Sequence, residues 1–176
     1  MTNAESLNFM VVIAAAIATI LAALAAFRSA RSADLALQAL IEEQLRTGRR
    51  DVATLVSACS YEFNRIRFLA HTLNVIDRAN AMFAGGFGGS RHKLAEDGVL
   101  KRVSTAKEIF QAVSPFRDNP NVINELVQWD IDRLQVTLTI RLSDLRVISD
   151  ELDRDSSSRE AQLLQHRERA IMGGAK

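Results

Sequence analysis

The residues able to do acid–base, nucleophilic or metal chemistry are few and scattered. The histidines are His71, His92 and His166, and the single cysteine is Cys59. Their spacing forms no HxxxH, HExxH or ExxH pair, so no helical face offers two imidazoles, or an imidazole and a carboxylate, to one metal ion. One thiol makes neither an internal disulfide nor a multi-thiolate metal site, and a lone thiol on a helix face reads as a small core hydrophobe. No serine stands in a G-x-S-x-G setting. Asp130 and Asp132 are two residues apart, which on a helix turns their carboxylates away from each other. The glycine-rich run GGFGGS (residues 85–90) lacks the preceding strand and the Lys-Ser/Thr ending of a phosphate-cradling loop, and is expected to be a hinge. No catalytic, cofactor-binding or metal-ligating residue is assigned from the sequence, and no cofactor is expected.

One pair has a sharper pattern. The run RIRFLAH places Arg65 and His71 at R-x5-H. This resembles the Arg/His motif of HEPN-type ribonucleases. The resemblance covers seven residues and implies an all-helical fold in which Arg65 and His71 contact and cleave RNA across a dimer. That family carries a polar residue directly after the arginine; Ile66 stands there in this chain.

These residues must be held by helices. The chain has 176 residues with only Pro115 and Pro120 as prolines, and no strand-like alternation of convincing length. Residues 7–27, LNFMVVIAAAIATILAALAAF, carry no charge. Twenty-one residues at the helical rise give about 31 Å, close to the hydrocarbon thickness of a bilayer. The run is therefore expected to be a single-pass transmembrane helix. The tail before it (residues 1–6) holds Glu5 and no Lys or Arg, whereas Arg28 and Arg31 follow at once and Arg46, Arg49 and Arg50 come later. The basic flank stays cytoplasmic, which puts the N-terminus outside. Ala23-Leu24-Ala25 offers a small-x-small cleavage pattern, but a basic n-region is missing and the apolar run exceeds that of a signal peptide. Ala14, Ala18, Ala22 and Ala26 form a small-xxx-small ladder on which two such helices could approach.

Residues 28–48 read as an amphipathic stalk continuing the anchor, with Leu37, Ile41 and Leu45 in register and Gly48 as its stop. A bundle is expected over residues 49–155. Its first helix runs over 51–84 from an Asp51 N-cap. Val52, Leu55, Val56, Cys59, Phe63, Ile66, Ala70, Leu73 and Ile76 form its stripe. A basic linker, Arg91-His92-Lys93, follows the hinge. The second helix covers 98–113 and ends before Pro115, and Phe116–Pro120 make a turn. A third helix, about 121–155, carries Val127, Ile131, Leu134, Leu138, Leu142, Leu145, Ile148 and Leu152, with Trp129 set to pack on the 51–84 helix. Ser156–Ser158 weaken it, and residues 156–176 are expected to be a partly frayed helical tail.

The expected fold class is thus all-α: an N-terminal single-pass transmembrane helix and stalk, then an elongated antiparallel bundle. With 22 basic and 21 acidic residues the chain lacks the basic excess of a dedicated nucleic-acid binder. The expected partners are the lipid bilayer and proteins, or a second copy, met through amphipathic helices. The expected function is a non-catalytic scaffold or interaction module at the cytoplasmic face of a plasma membrane, the Ala/Arg/Leu-rich usage suggesting a bacterial inner membrane. The alternative is a membrane-tethered effector or ribonuclease-like enzyme using Arg65 and His71.

Overall fold

The structure is a computed structural model that describes residues 3–83 and 89–173. It is all-α, with one long apolar N-terminal helix followed by further helices, and no strand occurs among the described residues. The helices are α1 (Asn3–Phe83), α2 (Ser90–Gln111), α3 (Ser114–Asp118), α4 (Asn121–Glu125) and α5 (Gln128–Gly173). The chain divides into two compact units, Met1–Arg46 and Thr47–Lys176.

In the first unit, α1 is long and apolar enough to cross a membrane. Its apolar side chains from Met10 to Phe27 are exposed, including Ile17, Ile20, Leu21 and Leu24. The hydroxyl of Thr19 donates to the Ala15 carbonyl at 2.8 Å, so this polar group is satisfied within its own helix, as a hydrocarbon setting requires. Leu35, Leu37, Leu40 and Ile41 are also exposed.

The second unit is a three-legged bundle running up, down and up. Gly48 meets Ile131, Cys59 meets Leu138, Arg65 meets Asp153 and Asn80 meets Arg159. Residue numbers rise together along these pairs, so α1 and α5 run parallel. Phe63 stacks on Phe110 and Arg102 pairs with Asp155, so α2 runs antiparallel to both. Thirty-seven residues of α1 in this unit, Thr47 to Phe83, span about 55 Å, and the 22 residues of α2 only about 33 Å. The short helices α3 and α4 complete the descent along α1, where Phe116, Pro120 and Ile123 face Ala53, Val56 and Ser60.

The apolar periodicity of α1, α2 and α5 becomes the core. Val52, Cys59, Ile66, Leu73, Val99, Ala106, Val113, Ile131, Leu138, Leu145 and Leu152 are all at most a few per cent exposed. Burial of these stripes is the main stabilising term, since isolated helices are marginal in water.

Several boundaries differ from the sequence expectation. Gly48 does not stop a helix and Asp51 does not cap one, because α1 runs through both. A Cβ on Gly48 would lie 2.7 Å from Ile131 Cγ2; the glycine provides close approach of α5, not a break. The second helix begins at Ser90, two turns early, which takes His92 and Lys93 into helix instead of a linker. Gly98 does not interrupt it and faces open space. Ser114-Pro115 opens α3, with proline at the first turn where its missing N–H is harmless, so Phe116 to Asp118 are helical. The last leg breaks at Leu126, whose backbone is extended and whose carbonyl accepts from Arg49 Nη2 at 2.9 Å. Ser156–Ser158 do not weaken α5: Ser156 is buried, and the next residue, Arg159, is held by Asp77 and by Asn80, whose Nδ2 donates to its carbonyl at 3.1 Å. Trp129 does not pack on α1. It is 68% exposed, with the Arg133 guanidinium 5.6 Å from its ring centroid. Most of the hinge at 85–90, the start of the N-terminal tail and the last three residues lie outside the described residues.

Candidate functional site

Arg65 leaves the apolar stripe of α1 and reaches α5. Its Nη2 donates to Asp153 Oδ2 at 2.9 Å, and its Nη1 donates to Ser149 Oγ at 3.3 Å. Asp150 lies 3.6 Å away and Glu62, one turn back on α1, 3.7 Å away. Glu62 is 8% exposed and Ser149 fully buried. The Ser149 hydroxyl is within donating distance of Glu62 Oε2 (3.1 Å) and of the Arg146 carbonyl (3.2 Å), and its one proton serves one of them at a time. Arg146 approaches the other Glu62 oxygen at 3.9 Å.

This seam has the ingredients of nucleophilic chemistry, a hydroxyl beside a carboxylate. It lacks access, because no substrate atom reaches a serine with no exposed surface. Both terminal nitrogens of Arg65 that the sequence could have offered to a phosphate are turned toward carboxylates or Ser149. Such a closed network pins the register of one helix against another.

His71 does not join it. Six residues further along α1 it stands about 9 Å away along the axis and about 120° round the helix, and it is exposed. The structure therefore does not bring Arg65 and His71 together. Asp130 is half-buried and Asp132 exposed; Asp132 Oδ1 accepts from Gln128 Nε2 at 2.8 Å. His166 is half-buried in the last turns of α5. Cys59 is enclosed between α1 and α5, with its Sγ 3.8 Å from the Leu138 carbonyl. Burial pushes its thiol up to about 11, against a smaller pull from Arg146, so the thiol stays protonated and unreactive. No cluster of three His, Cys, Asp or Glu suited to a metal ion occurs among the described residues.

A second polar cluster ties the top of α1 to α5. Asp77 pairs with Arg159. Burial raises the Asp77 carboxyl above its ordinary value, while Arg159 and then His92 draw it down. Reading the sequence missed both clusters. Their signal was weak: Glu62 and Asp77 fall within the width of the apolar stripe of α1, where a carboxylate needs a partner.

Comparison of the chain with protein-family models, with curated proteins and with solved structures found no match.

Proposed function

We propose that the protein is a single-pass membrane protein, anchored by residues 7–27, that acts non-catalytically as a scaffold or interaction module. The observation that carries this reading is the uncovered apolar surface of α1 from Met10 to Phe27, for which a bilayer is the natural solvent. Arg28 and Arg31 at its C-terminal edge favour the N-terminus outside and the bundle in the cytoplasm. On this reading the membrane is a bacterial inner membrane. The non-catalytic half is supported by the seam around Arg65, in which the ionic groups hold each other and Ser149 is fully buried. Apolar side chains on outer faces of the bundle are suited to protein partners or a second copy: Tyr61, Phe68 and Val75 on α1, and Trp129, Val136, Ile140 and Val147 on α5.

A phosphatase reporter fused after Lys176 tests the topology. The expected result is no periplasmic activity, and strong activity there refutes the orientation. A photo-crosslinking residue at Ile140, used in native membranes, tests the module. A discrete protein adduct is expected. No adduct there, together with RNA cleavage lost on His71→Ala, refutes it.

A further inference from the structure

Arginines in the seams between α5 and its neighbours are spoken for by carboxylates: Arg65 by Asp153, Arg102 by Asp155 and Glu151, Arg159 by Asp77. The opposite behaviour occurs on the other flank, in a cleft of about 550 Å³ where α1, α2 and α3 meet. Arg67 comes to it from α1, Lys107 from α2 and Arg117 from α3. The one carboxylate in the lining is Asp118, and it is already engaged by Arg117, with Nη2 at 2.7 Å and Nε at 2.8 Å. Arg67 and Lys107 have no ion-pair partner among the described residues. Three cations against one anion leave an excess of two positive charges in this cleft, in a chain whose formal net charge is only +1.

The floor is apolar. Phe63 and Phe110 stack with centroids 4.5 Å apart and planes within 1° of parallel, and Val103 lines the cleft beside them. Phe110 is almost wholly covered, whereas Phe63 and Val103 keep part of their surface open. Arg117 is a fixed element of the wall, its guanidinium 5.1 Å from the Phe110 centroid and clamped by Asp118. Two unpaired cations and one paired cation thus surround an apolar concavity of the size that small ligands use. Low-dielectric walls beside unpaired charges strengthen the field at the mouth of the cleft, and that field is of one sign.

We propose that this cleft binds a small organic anion carrying two negative charges on a flat apolar body, of which an aryl phosphate monoester is the simplest form. Arg67 and Lys107 hold the charged oxygens, Arg117 orients them, and the body lies on Phe63 and Val103. The site is separate from the anchor and from the seam at Arg65, and it adds a ligand to a protein read above as a scaffold.

The test is calorimetric titration of the full chain in nanodiscs of neutral phosphatidylcholine, with 1-naphthyl phosphate as probe. Inorganic phosphate supplies charge without body, and 1-naphthol supplies body without charge. Saturable binding of the ester is expected, with both controls at least about tenfold weaker, a difference of one decade in the dissociation constant. Arg67→Glu combined with Lys107→Glu should abolish binding at an unchanged melting temperature, because both side chains are exposed. Where that pair lowers the melting temperature, Arg67→Gln with Lys107→Gln carries the same expectation, and Lys107→Arg should bind like the parent. No saturable binding of the ester at millimolar concentration overturns the proposal. So does equal binding of inorganic phosphate or of 1-naphthol, or full binding by the doubly substituted, folded protein.

Discussion

Arg65 and Arg67 stand two residues apart on one helix and have opposite surroundings. Two residues turn a helix by about 200°, which sends Arg65 into the seam with α5 and leaves Arg67 facing the cleft. Replacing Arg65 by Met removes a donor to Ser149 and Asp153 and leaves the buried Glu62 with Arg146 as its nearby cation and the Ser149 hydroxyl as its donor. A loss of about 1–3 kcal/mol is expected, the range for orphaned buried polar groups. Arg67→Met, with no partner to lose, should stay within about 0.5 kcal/mol of the parent. Chemical denaturation of the two variants side by side checks this, and equal losses would contradict the geometry. Asp77 allows a pH prediction. Its folded carboxyl titrates above the ordinary 3.8, chiefly because it is buried. The folded state therefore holds that proton more tightly than the unfolded chain does. Its contribution to stability is full below 3.8 and is lost as pH rises through the raised folded value. The melting temperature of the parent minus that of Asp77→Asn should accordingly fall as pH rises from about 4 to 7. A difference that rises with pH would mean that the pair with Arg159 outweighs burial.

Helices were legible where a stripe of apolar residues recurs at steps of three and four. Leu73 and Leu138 were assigned to the core by period alone, and both are buried. What periodicity misread were the positions where one residue type serves two purposes. Glycine is both a helix breaker and a licence for close approach, and only the presence of Ile131 against it decides which role Gly48 plays. Serine weakens an isolated helix, but the Ser156–Ser158 run is carried by partners on α1 that lie 79 and 82 positions away in sequence from Arg159. The seam at Arg65 was illegible for the same reason, since its members come from residues 62–65 and 146–153. The close approach at Gly48 is testable. Alanine there would gain helix propensity, worth about 1 kcal/mol, but its Cβ would press on Ile131 Cγ2, which belongs to a fully buried side chain with no room to yield. Overpacking of this kind costs about 1–3 kcal/mol. Gly48→Ala should therefore destabilise the bundle by up to about 2 kcal/mol net. Combined with Ile131→Ala, the cycle should show a coupling of at least about 0.5 kcal/mol in the direction of rescue. Strict additivity would remove the steric account.

At the level of the chain, the two compact units differ in what satisfies their apolar surface. From Met10 to Ile41 the large apolar side chains are exposed, and nothing within this unit covers them among the described residues. From Val52 onward the stripes of α1, α2 and α5 cover one another, and the ionic seams at Glu62 and Asp77 close within the same unit. The stability of the bundle should then owe little to the first 46 residues. A fragment of residues 47–176 is expected to fold in detergent-free buffer with helical circular dichroism and a cooperative melt. Its melting temperature should lie within a few degrees of that of the bundle in the intact chain, because a difference of about 1 kcal/mol shifts a domain of this size by only about 2–8 °C. The intact chain, in contrast, should partition wholly into membranes. Leu73→Asp, which puts a charge at a fully buried position, should abolish the cooperative melt of the fragment and leave the membrane partitioning of the intact chain as it was. A fragment that is unfolded without the first 46 residues would show that α1 below Thr47 contributes to the bundle directly. The first unit would then be a structural part of the domain.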